Sequence, residues 1–148
     1  MLVIRKGDLL EAKENILCQQ VNEYGTMDGG LALQIAKKYP HIEQTYKDYC
    51  KEHIADEMLG NTLFVPTTTN ETQWIASCFT QLNFITQYDL LEKVFKKIKD
   101  TAKKHNWTIG IPYKFGCGIA DGEWDKVEEI LINIFDDYDI YIYKLEVK

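Results

Sequence analysis

The chain has 148 residues, of which 45% are hydrophobic and 27% charged, an ordinary composition for a soluble globular domain. At this length one domain can bury about 70% of the surface its unfolded chain exposes, and no Pro/Gly/Ser-rich linker divides the sequence. The net charge of −6 argues against a general grip on nucleic acid, which needs clustered Lys and Arg, but leaves room for a nucleotide pocket built from backbone amides.

Leu2–Lys6 (LVIRK) reads as a short strand, and GDLLEAKEN turns out of it. Ile16–Asn22 (ILCQQVN) is a β-leaning run that ends in polar residues, as a central strand delivering its carboxyl end to a site would. The loop EYGTMDGG follows. LALQIAKKYP predicts a helix, with Leu31, Ile35 and Tyr39 repeating at i+4 and Pro40 closing it. HIEQTYKDYCKEH predicts a second, with Ile42, Tyr46 and Tyr49 on one face. Gly60–Thr67 and Gln73–Gln81 read as two strands joined by a polar turn.

Tyr88–Asn106 carries the clearest helical signal, an apolar stripe of Leu91, Val94, Phe95 and Ile98 and a lysine-rich end that suits the helix dipole. TIGIP is a short apolar strand. WDKVEEILINIFDDY predicts a helix burying Val127, Ile130, Leu131, Ile134 and Phe135, and IYIYKLEV closes the chain as a strand. Strands and helices alternate through the second half, the pattern of an α/β layer sandwich with a parallel or mixed sheet.

Cys18, Cys50, Cys78 and Cys117 form no CxxC pair and no zinc-type cluster, so reduced thiols in a cytoplasmic protein are expected. The N-terminus lacks the apolar core of a signal peptide, and no apolar run nears the roughly 20 residues of a membrane span. His41, His53 and His105 fall in helices or at their ends, where solvated surface roles are expected. No metal or cofactor is implied.

Chemistry is expected at two glycine-rich junctions between strand and helix, VNEYGTMDGGLALQI and IPYKFGCGIADGEWDKV. Glycines let backbone N–H groups approach a ligand, and each loop runs into a helix N-terminus, where free amides and the dipole favour an anion. A single loop of this kind is also ordinary turn chemistry. Two facing one crevice could hold a diphosphate. Neither fits GxxxxGK[ST], and no GxGxxG follows the first strand, which argues against a P-loop triphosphatase and a dinucleotide dehydrogenase.

In order along nearly the whole chain, KGDLL, CQQVNEYGTMDGGLALQIAKKYP, LGNTLFVPT, a strand ending FTQ, YDLLEKVFKKI and IPYKFGCGIADGEWDKVEEIL resemble a macro domain, the ADP-ribose-binding fold. The likeness is strongest to the small stand-alone bacterial and phage branch, related to the terminal ADP-ribose protein glycohydrolase and the chromatin-remodeller macro domains. It implies a single macro domain over residues 1–148, a three-layer α/β/α sandwich around a mixed sheet, with ADP-ribose in the crevice. It also implies a monomer whose partner is ADP-ribose or an ADP-ribosylated macromolecule, with no general nucleic-acid binding and no membrane.

The resemblance places Asp8 against the adenine amino group with the backbone of Leu9 beside it. Asn22 falls next to the distal ribose, and Met27 to Ala32, including Gly29, Gly30 and Leu31, wrap that ribose and the diphosphate. Gln20, Thr80, Gln81 and Pro112 join the binding set. Phe115 to Ala120 form the second phosphate loop, with amides from Gly116, Cys117, Gly118 and Ile119 aimed at the pyrophosphate.

Catalysis is less complete. The glycohydrolase branch uses a lysine at the end of the strand before the long helix and an aspartate after the Gly-Cys-Gly turn; here those positions hold Gln81 and Ala120. Another branch uses an Asp/Asn pair in the first loop; Asn22 is present, but the acid position is Ala32. Asn22, Asp28 and Asp121 remain as candidate catalytic groups, with Glu123 nearby. The expected function is therefore binding of ADP-ribose or an ADP-ribosyl group, with hydrolysis from its attachment. The alternatives are ADP-ribose 1″-phosphate phosphatase or a non-catalytic reader.

Overall fold

The computed structural model describes residues 1–145. In chain order the elements are β1 (Leu2–Lys6), a 3₁₀ turn (Leu9–Glu11), β2 (Ile16–Gln20), α1 (Gly30–Lys38), α2 (Pro40–Glu52) and α3 (Ala55–Met58). There follow β3 (Thr62–Pro66), β4 (Trp74–Cys78), the short pair β5 (Gln81–Leu82) and β6 (Ile85–Thr86), α4 (Tyr88–His105), β7 (Ile109–Pro112), α5 (Trp124–Ile134) and β8 (Ile140–Lys144).

Six strands form one mixed sheet in the order β1-β8-β7-β2-β4-β3. All neighbours are parallel except β3, which runs antiparallel to β4 at the edge. Alternation along the strands makes two cores. Ile16, Cys18, Ala76, Cys78, Ile109, Ile111, Ile140 and Ile142 face α4 and α5, meeting Leu91, Val94, Phe95, Ile98, Val127 and Leu131. On the opposite face Leu17 and Ile75 meet Ile35, Ile42, Tyr46 and Leu9. The result is the expected three-layer α/β/α sandwich.

This arrangement positions the crevice. The chain leaves β2 toward α1 on one face and leaves its neighbour β7 toward α5 on the other. Loops diverging from adjacent parallel strands open a gap beyond their carboxyl ends, where α/β sheets bind ligands.

Several boundaries differ from the sequence expectation. Pro40 is the first residue of α2 rather than only the stop of α1, because proline's fixed φ and missing N–H suit a helix start. α5 ends at Ile134, and Asp136 and Asp137 instead pair with Lys99 across the gap to α4. Ile130 is only partly buried. α3 and the β5–β6 hairpin carry no sequence signal strong enough to predict them. The expected strand continuation over 146 and 147 lies outside the described residues. No helix among the described residues is long and apolar enough to cross a membrane.

Candidate functional site

The loops after β2 and β7 face each other across a cavity of about 580 Å³, the size of a small-molecule site. Its walls bring together Gln20, Asn22, Asp28, Gly29, Gly30, Leu31, Ala32, Gln81, Pro112, Phe115, Gly116, Gly118, Ile119 and Ala120 from the expected set. Gln19, Thr26, Phe84, Tyr113 and Lys114 line it as well.

The first loop ends at α1, whose N-cap is Gly29 and which has no side-chain cap. The first amides of an uncapped helix have no internal partner and carry the positive end of the dipole. Asn22 shapes the approach. Its Nδ2 donates to the Thr26 carbonyl (3.0 Å) and hydroxyl (2.8 Å), and its Oδ1 accepts from the Tyr24 (2.9 Å) and Thr26 (3.3 Å) amides. The buried Tyr46 hydroxyl lies 2.7 Å from the same Oδ1 and 2.6 Å from the Asn22 carbonyl. Burial pushes the Tyr46 hydroxyl well above its ordinary range, so it stays a donor. The Asn22 side chain is thus occupied as the clamp of this loop.

The second loop folds around Gly116. Its carbonyl accepts from Gly122 N (2.9 Å) and from the Thr86 hydroxyl (2.5 Å), while Thr86 N donates to the Ala120 carbonyl (2.9 Å). Residues 116–122 therefore close on themselves and are pinned to the hairpin. Gly116 has φ +76°, and a Cβ there would lie a tight 3.1 Å from Thr86 Oγ1, so both the backbone conformation and the crowding favour glycine. Phe115, buried, packs edge-on to Phe95 of α4 and anchors the loop in the core.

Among the described residues no acceptor takes the amides of Gly118 or Ile119. Cys117 is different: its amide donates to the Lys114 carbonyl (2.9 Å) and is spent inside the turn. Its thiol is half-buried, and burial pushes it up against the opposing pull of Lys114.

Asp8, Leu9, Met27, Thr80, Cys117, Asp121 and Glu123 are not part of the cavity wall. Asp8 caps the 3₁₀ turn, accepting from Leu10 N (2.9 Å), and Leu9 is buried on the sheet. Met27 is buried beneath the first loop, and Thr80 is buried against Gln20. Asp121 is exposed with φ +56°, its amide closing a turn onto the Gly118 carbonyl (3.0 Å). Glu123 is exposed and pairs with Lys126 (3.3 Å). Asp28, exposed in the first loop, is the carboxylate that lines the cavity. His41 and His105 are exposed, and His53 is half-buried.

The hairpin is what sequence reasoning missed. Asn83 and Phe84 both adopt positive φ, +50° and +64°, the geometry of a two-residue type I′ turn. Asn is a usual first residue there, but glycine is the usual second, so NF gave no turn signal. Tyr24 stacks on Phe84 at 5.1 Å and holds the tip beside the crevice mouth.

The macro domain family profile matches residues 18–131. The chain belongs to the macro domain family. This macro domain is 26% identical over 171 aligned positions to the ADP-ribose 1″-phosphate phosphatase of Saccharomyces cerevisiae, covering 95% of this chain and 96% of that protein. It is 26% identical over 159 positions to the DNA ADP-ribosyl glycohydrolase of Mycobacterium tuberculosis, covering 97% of this chain and 42% of that protein. The solved macrodomain of Mycobacterium tuberculosis DarG superposes with a TM-score of 0.83 at 25% identity over 97% of each chain.

Proposed function

We propose that the crevice binds ADP-ribose or an ADP-ribosyl group with its diphosphate between the two glycine loops. The observation that carries this is the pair of unclaimed amide sets, one at the uncapped start of α1 and one at Gly118 and Ile119, on facing walls of one cavity. Amides held in place by the Asn22 clamp and the Gly116 closure bind phosphate without reorganising, which is why an acidic protein can do so. In this pose Asp8, beyond β1, receives the adenine amine, and the distal ribose lies toward β4.

Hydrolysis of the ADP-ribosyl attachment is the second part of the reading, supported by the activities named for the two relatives. Asp28 is the group that would take a proton from water, because it is a carboxylate lining the cavity whereas Asn22 is committed to the loop and Asp121 is not part of the wall. The test is incubation with ADP-ribosylated DNA, ADP-ribosylated protein and ADP-ribose 1″-phosphate. Wild type should release ADP-ribose from at least one of them, and Asp28→Asn should slow that release about 100-fold with little change in ADP-ribose affinity. Equal turnover by both proteins would remove Asp28 from the chemistry; no turnover by wild type on any of the three leaves a binding module.

A further inference from the structure

The Asp8 end of the crevice gathers positive charge in a protein whose net charge is −6. Tyr113 and Lys114 stand on the cavity wall directly after β7. Two ammonium groups lie over the Tyr113 ring, that of Lys144 at 4.6 Å from its centre and that of Lys114 at 5.6 Å. Lys6 is the register partner of Lys144 on the adjacent strand β1, so the two side chains stand side by side on one face of the sheet. The Lys144 carbonyl accepts from Gly7 N (2.9 Å), one residue before Asp8. All three lysines are exposed, and among the described residues none is paired with a carboxylate. Asp8 spends its own side chain on Leu10 N (2.9 Å). Lys114 is held in place at a backbone cost. Phe115 N closes the turn onto the Pro112 carbonyl (3.2 Å), and Lys114, the third residue of that turn, has φ +60°, a conformation that glycine or asparagine ordinarily takes there. A lysine in that place sets an ammonium group beside the crevice where a glycine would set nothing.

Like charges gathered around one ring repel each other, and a bound anion relieves that repulsion. We infer that Lys114, Lys144 and Lys6 form an anion subsite that takes a phosphate group esterified to the adenosine ribose of the ligand. The inference rests on the proposed ADP-ribose reading. With the adenine at Asp8 and the diphosphate on the glycine loops, the adenosine ribose lies along the wall between them, which is Pro112 to Lys114. The 5′ oxygen of that ribose is already part of the diphosphate, so its 2′ and 3′ hydroxyls are the positions from which an added phosphate reaches the lysines. A phosphate monoester brings about −1.5 to −2 charges at pH 7, and lysine receives it as a flexible point charge with three donors. The ligand class is therefore ADP-ribose bearing a 2′- or 3′-phosphate. The distal ribose and its attachment lie at the other end of the crevice, so this subsite adds recognition without touching the bond to be hydrolysed.

The experiment titrates wild type with ADP-ribose, ADP-ribose 2′-phosphate and ADP-ribose 3′-phosphate at low ionic strength, then repeats the set with a Lys114→Gly, Lys144→Gln double variant. Glycine is at home at φ +60°, so the turn tolerates the first change. Wild type should bind at least one phosphorylated ligand about 3- to 20-fold more tightly than ADP-ribose, the gain from two or three solvent-exposed charge pairs, and that gain should shrink as salt is raised to about 0.5 M. The arm that gains shows which hydroxyl carries the phosphate. In the double variant the ratio of affinities should fall close to one, and in Lys114→Gly alone it should fall part of the way. Equal affinity of wild type for all three ligands, or weaker binding of both phosphorylated ones, overturns the assignment without any variant. A preference that survives in full in the double variant overturns it too, and if that protein misfolds, a full preference in Lys114→Gly does the same. Failure of the underlying reading is distinct, because wild type would then bind none of the three ligands, and this inference would fall with it.

Discussion

A single added methyl group at Gly122 should open the second loop. A Cβ there would lie 2.4 Å from the Gly116 oxygen and 3.1 Å from its carbonyl carbon, both backbone atoms that cannot rotate away. Restoring an ordinary contact of ~3.4 Å requires the strands of the loop to part by roughly 1 Å, which stretches the 2.9 Å Gly122–Gly116 bond past the ~3.2 Å range of a good hydrogen bond. The same displacement pulls the Gly116 carbonyl from the Thr86 hydroxyl. Two lost bonds at about 1 kcal/mol each come to roughly 2 kcal/mol. If the loss is felt by binding, ADP-ribose affinity falls roughly 30-fold; if by global stability, Tm falls by about 4–8 °C. Calorimetry and thermal melting of Gly122→Ala measure both. Gly118→Ala is the internal control for stability, since nothing lies within 4 Å of a Cβ there. Unchanged affinity and unchanged Tm for Gly122→Ala would refute the closed-loop geometry.

Asn22→Ala removes the clamp of the first loop and should cost about 2 kcal/mol, seen as a lower Tm together with weaker ADP-ribose binding; a stable variant that has lost only turnover would instead make Asn22 a catalytic group. Cys117→Ser should bind ADP-ribose and turn over as wild type does, because burial raises the thiol's pKa and its amide, not its sulfur, supports the turn; a large loss of turnover would instead make the thiol a participant in the chemistry. The Tyr143 hydroxyl donates to the carboxylate of buried Glu14, lying 2.7 Å from one of its oxygens and 2.9 Å from the other, and burial together with that carboxylate pushes the hydroxyl's pKa up to about 12. A raised tyrosine contributes stability fully below its unfolded value near 10, and loses it as pH rises through 12. Tyr143→Phe should therefore be about 1–2 kcal/mol less stable at pH 8, and urea midpoints should show the gap narrowing between pH 10 and 12; a constant gap would contradict this.

Much of the fold was legible because its signals are periodic. The stripe from Leu91 to Ile98 places α4 and its buried face, and apolar β runs place most strands to within a residue or two, although the run Gln73–Gln81 divides into β4, ending at Cys78, and the start of β5 at Gln81. What escaped was decided by tertiary contact. The turn at Asn83 and Phe84 exists because Tyr24 and the second loop support it, and nothing local in LNFIT specifies it. The glycine loops were visible as composition, but which amides stay free was not: Cys117 N is spent on the Lys114 carbonyl in a turn that forms only in the folded loop. Asn22 was visible as a polar residue near a ligand, while its five hydrogen-bonding contacts depend on Tyr46, 24 residues on, and on the path of the loop. The Gln81 amide nitrogen meets Gln20 Oε1 at 3.0 Å, a contact across 61 residues that no linear pattern contains.

Titration calorimetry of the wild-type protein with ADP-ribose bears most directly on the crevice. Saturable one-to-one binding, lost in a Gly118→Glu variant that melts at the wild-type temperature, is the expected result. No heat up to millimolar ADP-ribose, or full affinity in Gly118→Glu, would contradict the placement of a diphosphate between the two loops.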